Sequence, residues 1–289
     1  MTRLAILADI HGNLPALEAV LNDLAQFKVD QVVVAGDVVN WGPFSAQVLE
    51  RVTREGWPVI RGNNEFYLLD YNTPRAPAEW KDLGQWPMLP WLHRQLNGRW
   101  QNVVAAWPDA LSLRFADAPP IRVVHGSPRS PWESIHWTNS DEEITAMLAG
   151  VEETTVVAGH THLIMNRTVG PWRILNPGTA GIPLDGRVSS VSYMLLESDA
   201  AGWRPTWRRV EYDLEPVLAE FERLGFVEEC GVVGRLVIAE YQTARLNLLP
   251  FLRWRAACCP DAPFSPELLD PFAKINKWDY TPHAYHVNC

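Results

Sequence analysis

The apolar positions of this chain fall into short runs separated by stretches of helical period. Arg3 to Ala8 is a short apolar run with the character of a strand, and Leu14, Leu17, Ala19, Val20, Leu21 and Leu24 follow at helical spacing. Val32 to Ala35 is a second, β-branched run, followed by a predicted helix from Phe44 to Thr53 and a strand around Val59 to Ile60. This alternation predicts parallel strands joined by helical crossovers. Ile121 to Val124 and Thr154 to Ala158 read as two more strands of the same kind. Leu163 to Val169, Trp172 to Leu175, Val188 to Leu196 and Pro205 to Val210 are expected as strands between Gly and Pro turns, with antiparallel pairing. From Asp213, a candidate helix cap ahead of Val217, Leu218, Phe221 and Leu224, the character becomes helical. Further helical stretches follow Gly231, and the chain ends in a polar, aromatic run from Lys277 to Cys289.

Polar residues collect just after the predicted strands. Asp9 and His11 follow the first, Gly36 and Asp37 the second, and Gly62, Asn63 and Asn64 the third. His125 and Gly126 end the fourth, and Gly159, His160, Thr161 and His162 end the fifth. In open α/β sheets the carboxyl ends of strands converge on one edge, so these segments can build a single site. Taken alone, a Gly-Asp turn can merely cap a helix and a lone His is usually structural. The recurrence of such clusters, which hold four of the chain's eight histidines, calls for another explanation. Imidazole, carboxylate and amide oxygen suit divalent Mn, Fe, Ni or Zn, and the lack of clustered thiolates disfavours a structural zinc site. Seven candidate ligands exceed the needs of one tetrahedral ion and suit two. Asp37 is the natural bridge between them, although spacing alone does not establish bridging.

Composition narrows the function classes. With 289 residues, 47% hydrophobic and 20% charged, the chain can bury a substantial core. Its formal charge of −9 leaves no broad basic surface for a nucleic-acid backbone, so no stable nucleic-acid partner is expected. Leu4 to Ala8 is too short for a signal-peptide core, and no stretch approaches the roughly 18 apolar residues of a membrane span, so a cytoplasmic location is expected. Cys230, Cys258, Cys259 and Cys289 show no metal-finger spacing and read as reduced bystanders. Trp80, Trp86, Trp91, Trp100 and Trp107 crowd a Pro-rich segment, which suggests irregularly connected helices with buried aromatic packing rather than a linker.

The ordered set D-x-H, G-D, G-N-x, H-G and G-H-x-H resembles that of the calcineurin-like metallophosphoesterases, specifically the compact bacterial branch that opens with D-I-H-G-N-L, as Asp9 to Leu14 do here. The N-P-G-T run from Asn176 to Thr179 is similar to that branch's N-P-G-S turn, so the resemblance spans about residues 1–210. It implies an α/β fold with a two-sheet β-sandwich flanked by helices. A metallophosphoesterase domain over 1–210, with a Trp-rich insertion at about 71–110, would then precede a helical C-terminal extension over 211–289, packed on the main domain, which is expected from the change to helical character alone and lies beyond the resemblance. The resemblance further implies that Asp9, His11, Asp37 and His162 hold one metal and that Asp37, Asn63, His125 and His160 hold the second. Two divalent ions, Mn foremost with Fe, Ni or Zn as alternatives, would activate a hydroxide for direct attack on phosphorus. The implied activity is hydrolysis of a small phosphodiester or phosphomonoester, a nucleotide included, with Asp37, Asn64, His125 and His160 in the catalytic set.

Many family members carry a His where this chain has Asn64, followed here by Glu65. Asn donates a hydrogen bond but supplies no proton near neutral pH, so a preference for activated esters or diesters is expected. Arg129, in H-G-S-P-R, could grip a phosphate or form a surface salt bridge. Asn40 could contact substrate or close a turn. His136, His283 and His286 fall near no motif and read as structural or solvent-exposed, while His93 lies in the Trp-rich segment. A different class of function, a metal-binding regulatory or scaffold module with little turnover, is the alternative that the missing His raises and the intact ligand set disfavours.

Overall fold

The computed structural model of the chain describes residues 1–96, 98–199 and 202–286. Cys289 therefore lies outside the described residues. The elements run β1 (Arg3–Leu7), α1 (Leu14–Leu24), β2 (Gln31–Val34), α2 (Ser45–Glu55), α3 (Asn63–Asp70), α4 (Met88–Leu96), α5 (Gln101–Ala105), β3 (Ala110–Leu113) and β4 (Ile121–Val124). They continue with α6 (Asp141–Met147), β5 (Thr155–Ala158), β6 (Ile164–Val169), β7 (Trp172–Pro177), β8 (Ser190–Asp199), β9 (Gly202–Glu211), α7 (Glu215–Arg223), α8 (Phe226–Thr243), α9 (Leu248–Cys258) and α10 (Leu269–Ala273).

Two mixed sheets face each other, in the orders β2-β1-β8-β9 and β3-β4-β5-β7-β6. Leu4, Ile6 and Ala8 from one sheet meet Val123, Val157 and Leu175 from the other in the inter-sheet core. The alternate residues Ala5 and Leu7 face the opposite way, toward α1, α2 and the C-terminal helices. Burial on both faces explains why β1 reads as an unbroken apolar run rather than an alternating one. Val124, Val156 and Ile174 pack the outer face of the second sheet against Ile144 and Met147 of α6.

β1 pairs parallel with β2, and β4, β5 and β7 pair parallel in turn, which sends their carboxyl ends to one edge. β8 pairs antiparallel with both β1 and β9, and β6 antiparallel with β7. The third predicted strand is only an isolated parallel bridge from Val59 to Val34, because Pro58 precedes it and the Gly62 turn follows closely. β3, α3 and α6 lie outside the predicted elements. Asp213 accepts from the Glu215 N–H at 3.0 Å, but the residue that caps α7 is Leu214.

The Trp-rich segment forms α4 and α5 with a 3₁₀ turn at Ala78–Lys81, and Trp80, Trp91 and Trp100 are buried there. Trp91 packs at a tilt against Phe226 of α8 with ring centroids 4.6 Å apart, so this segment and the C-terminal helices share one core. Val232, Leu236, Phe251, Trp254 and Phe272 make a second core within the extension. Among the described residues, no helix is long and apolar enough to cross a membrane. Cys230, Cys258 and Cys259 are free thiols.

Candidate metal centre

The strand-end segments adopt backbone that side-chain-bearing residues rarely take. Asp9 (φ 55°), His11 (φ 50°), Asp37 (φ 55°), His160 (φ 69°) and His162 (φ 60°) are all left-handed. Each such residue costs on the order of 1–3 kcal/mol, so the surrounding bonds must over-determine the turns. They do: the Asp9, His11 and Gly12 N–H groups donate to the carbonyls of Gly36, Asp37 and Val38 at 3.1, 2.9 and 2.9 Å, zipping the first turn to the second. Two glycines permit the closest approaches. A Cβ on Gly36, itself at φ 88°, would lie 2.7 Å from His125 Nδ1, and one on Gly62 would lie 2.1 Å from Asp37 Oδ1.

This scaffold brings together two groups of ligand atoms, Asp9 with His11 and His162, and Asp37 with His125 and His160; within each group the atoms lie no more than 4.8 Å apart. Asp37 Oδ2 stands between the groups, 3.6 Å from His11 Nε2 and 3.2 Å from His125 Nε2. His162 Nε2 is 3.6 Å from Asp9 Oδ1, and Asn63 Oδ1 is 3.1 Å from His125 Nε2. Asn63 thus joins the Asp37 group.

Outer contacts fix the rings. His125 Nδ1 donates to the Ala35 carbonyl at 2.9 Å and His162 Nδ1 to the Ile182 carbonyl at 2.7 Å, which turns each Nε2 toward the centre. The N-P-G-T turn contributes from behind. The Asn176 amide donates to the Gly159 carbonyl at 2.8 Å, and the Thr179 hydroxyl donates to the Asp9 carbonyl at 2.8 Å.

Glu65, fully buried, is a residue to which the motifs assign no role. Its Oε2 accepts from the N–H groups of Gly62 (2.6 Å) and Asp37 (2.9 Å), and its Oε1 accepts from Val38 (2.8 Å). It is also the third residue of α3 and accepts from the N–H of that helix's cap residue, Gly62, the one half of a capping box that a glycine cap allows, and a signal present in G-N-N-E. One carboxylate therefore clamps the Asp37 turn to the Asn63 turn.

The electrostatics fit a cation. Asp9 and Asp37 are buried, and no Lys or Arg among the described residues pairs with either. Burial pushes His11 and His160 down to about 3 and His162 to about 4, so these rings are neutral near pH 7 and able to donate lone pairs. Burial also raises Asp9. At His125 the effect of burial is outweighed by the adjacent Asp37 charge, which lifts the ring to about 9, while the imidazoles hold Asp37 low against the same burial. His11 Nε2 and His162 Nε2 point at each other across 3.1 Å. Three neutral imidazoles, with His125 beside them, converging on two carboxylates that no Lys or Arg among the described residues reaches are a donor set for divalent ions.

The remaining predicted residues divide. Asn64 donates from its side-chain amide to Asp37 Oδ2 at 2.6 Å, and its Oδ1 accepts from the Asn40 amide at 2.8 Å. Both asparagines are buried; Asn64 contacts Asp37 and Asn40 contacts Asn64. Arg129 is half-exposed and paired with Glu133 through Nε and Nη2, and it does not line the cleft over the ligands. His136 packs edge-on against Tyr285, and His93 against Tyr71.

The cleft over the ligands has a volume of about 390 Å³. Trp41, Tyr67 and Trp132 form part of its wall, and the C-terminal extension supplies Glu240, Leu248, Leu252 and Tyr285. Motif reading passed over all of these. Trp41, left-handed at φ 64°, follows the D-V-V-N turn directly, and Leu248 and Leu252 of the extension carry no sequence signal beyond ordinary apolarity.

Comparison with known proteins agrees with this geometry. The family model described as the calcineurin-like phosphoesterase superfamily domain matches residues 2–201. The chain is 29% identical over 209 residues to the phosphodiesterase YfcE of Escherichia coli K12, covering 69% of this chain and 89% of that protein. The crystal structure of a metallophosphoesterase from Sphaerobacter thermophilus is similar at a TM-score of 0.66 and 25% identity, covering 84% of this chain and 99% of that one. The hypothetical protein PH1004 from Pyrococcus horikoshii shares the fold at a TM-score of 0.68 and 20% identity, over 82% of this chain and 98% of its own. With the motif order, the sheet topology and the paired ligand groups in accord, this chain belongs to the calcineurin-like phosphoesterase superfamily.

Proposed function

We propose that this protein hydrolyses small phosphate esters, phosphodiesters ahead of phosphomonoesters, at a pair of divalent ions held by Asp9, His11, Asp37, Asn63, His125, His160 and His162. The observation that carries the reading is Asp37 Oδ2 standing between the two ligand groups, within 3.6 Å of an imidazole from each. Bound there, two divalent ions would lower the pKa of a water and neutralise charge on the phosphoryl oxygens, with Mn favoured for an oxygen- and imidazole-rich site.

The chain's own groups define the rest. No Ser, Cys, Thr or Lys lines the cleft among the described residues, which supports direct attack by water without a covalent enzyme intermediate. Hydrolysis breaks one P–O ester bond and forms one to the water oxygen, and the departing oxygen takes up a proton. Asn64 donates no proton and is already bonded to Asp37, so that proton comes from solvent, and esters with good leaving groups react fastest. The phosphodiesterase name of the Escherichia coli relative supports the diester preference. The net charge of −9 favours small esters over long nucleic acids, and cytoplasmic action accords with the free thiols.

The test is release of p-nitrophenolate from bis(p-nitrophenyl) phosphate and from p-nitrophenyl phosphate, by protein stripped with chelator and reloaded with Mn, Fe, Ni or Zn. Turnover that requires metal and is lost in Asp37→Ala supports the reading. Turnover indifferent to chelation, or metal uptake without turnover of any ester, overturns it, the latter in favour of a metal-binding scaffold.

A further inference from the structure

A second, smaller cavity of about 170 Å³ opens beside the metal cleft, between the Trp-rich segment and the C-terminal helices. The two spaces share Trp41, Tyr67, Leu248 and Leu252 as a common wall. Trp86, Met88 and Leu89 close the side cavity from one side and Val233 of α8 closes it from the other. Asn40 also lines it, and the Asn40 amide bonds to Asn64, which bonds in turn to Asp37. The side cavity therefore begins one hydrogen-bonded pair away from the metal ligands.

We propose that this cavity receives the second ester arm of a phosphodiester whose phosphorus lies over the Asp37 cluster, and that the arm is aromatic or branched and apolar. The inference rests on the phosphoesterase reading and names its substrate class. Among the described residues, no Lys, Arg, Asp, Glu or His lines the side cavity, and the polar groups its lining residues carry are all uncharged: the amides of Asn40 and Gln85, the Tyr67 hydroxyl and the indole N–H groups of Trp41 and Trp86. A phosphate or carboxylate on the arm would lose its hydration without gaining a counter-charge. The size suits one ring, since an apolar cavity of about 150 Å³ is known to take up benzene. Trp41 adds an independent observation: the left-handed backbone at φ 64°, strained for an aromatic residue, places its side chain on the wall common to both spaces. In a hydrophobic pocket a single methylene is worth about 10–200-fold in discrimination, so a ring against a methyl group is a sensitive probe.

The experiment compares phenyl p-nitrophenyl phosphate with methyl p-nitrophenyl phosphate on the metal-loaded full chain. Both are monoanions with the same leaving group. In each case the bond to p-nitrophenolate breaks, water oxygen bonds to phosphorus, its proton passes to solvent, and phenyl or methyl phosphate remains. The expected kcat/KM ratio is at least about 10 in favour of the phenyl ester, expressed mainly in KM. Leu252→Trp, which fills the cavity from its partly exposed wall, brings the ratio close to 1. Leu252→Ala extends the preference to a naphthyl ester. Circular dichroism checks that both variants are folded. Equal rates for the two esters, or a ratio unchanged in folded Leu252→Trp, overturn the proposal. If no ester turns over, the phosphoesterase reading fails by itself. Calorimetric titration with phenylphosphonate and methylphosphonate monomethyl esters then decides the cavity separately: tighter binding of the phenyl compound, abolished by Leu252→Trp, supports it, and equal binding overturns it.

Discussion

The side-chain amide of Asn64 donates to Oδ2 of Asp37 at 2.6 Å, while the Asn64 backbone N–H donates to Oδ1 of the same carboxylate at 2.8 Å. Both oxygens of the carboxylate that stands between the two ligand groups are thus oriented by one residue, which is in turn held by Asn40. Asn64 is thus the residue that aims Asp37.

A double-mutant cycle on Asn40 and Asn64 tests that arrangement. Asn64→Ala removes the bond to Asp37, whereas Asn40→Ala leaves that bond but frees the Asn64 amide to turn. If Asn40 acts only through Asn64, the second substitution adds little once the first is made. Their coupling in kcat/KM is then about 0.5–3 kcal/mol, with Asn40→Ala the milder single change. Additive losses mean that Asn40 acts by a separate route, such as direct contact with substrate.

Glu65 leads to a prediction about stability. Its buried carboxylate is the acceptor for backbone N–H groups of Gly62, Asp37 and Val38. Glu65→Ala strands these donors in the interior, where each unsatisfied group costs about 1–3 kcal/mol, although the costs do not simply add. The expected loss is at least about 3 kcal/mol in urea denaturation. Glu65→Gln also fails to restore the wild-type midpoint, because its Nε2 would face N–H donors where Oε2 now accepts two.

Metal removal has a readout independent of turnover. Two buried carboxylates that no Lys or Arg among the described residues pairs with make the native state a better ligand than the unfolded chain, so ligation stabilises by mass action. At a metal concentration about 100-fold above the dissociation constant the gain is about 2.7 kcal/mol, visible in a thermal melt. Asp37→Asn removes a charge from the position between the groups, and its melting temperature should rise far less on adding Mn. An equal rise in wild type and variant would place the bound metal elsewhere.

Much of this architecture is legible from sequence because period and chemistry coincide. β1, β2, β4 and β5 are apolar runs that stop at Asp9, Asp37, His125 and His160, and the folded chain brings those stops to one edge. Other features are hidden for physical reasons. β3 is four residues of A-L-S-L whose pairing with β4 depends on a tertiary neighbour, and α6 is a single short helix whose S-D-E-E capping box stands out more than its apolar period. The bond from Asn64 to Asp37 spans 27 positions and carries no local signature. Leu248 and Leu252 look like any apolar helix residues; only the packing of the extension against the Trp-rich segment turns them into walls of a cleft.

Glu240 predicts how stability depends on pH. It faces the cleft from the end of α8, and its Oε1 accepts from the N–H groups of Asn247 and Leu248 at 2.8 and 2.9 Å, which ties the start of α9 to α8. Burial pushes its carboxyl up to about 7 from the ordinary 4.5, against the pull of those two donors. The nearby Tyr241 and Tyr285 are themselves raised by burial and stay uncharged. A carboxyl whose pKa is higher folded than unfolded contributes stability that is fully present below about pH 4.5 and is lost as pH rises through about 7. The span corresponds to an upper bound of roughly 3 kcal/mol. Glu240→Gln keeps an oxygen for both N–H groups and cannot ionise, so it should match wild type near pH 4.5 and exceed it by about 1–3 kcal/mol at pH 8. Urea titrations of the two proteins across this range measure the difference directly. Parallel curves with no divergence between pH 5 and 8 would show that Glu240 titrates in the folded chain as it does in the unfolded one.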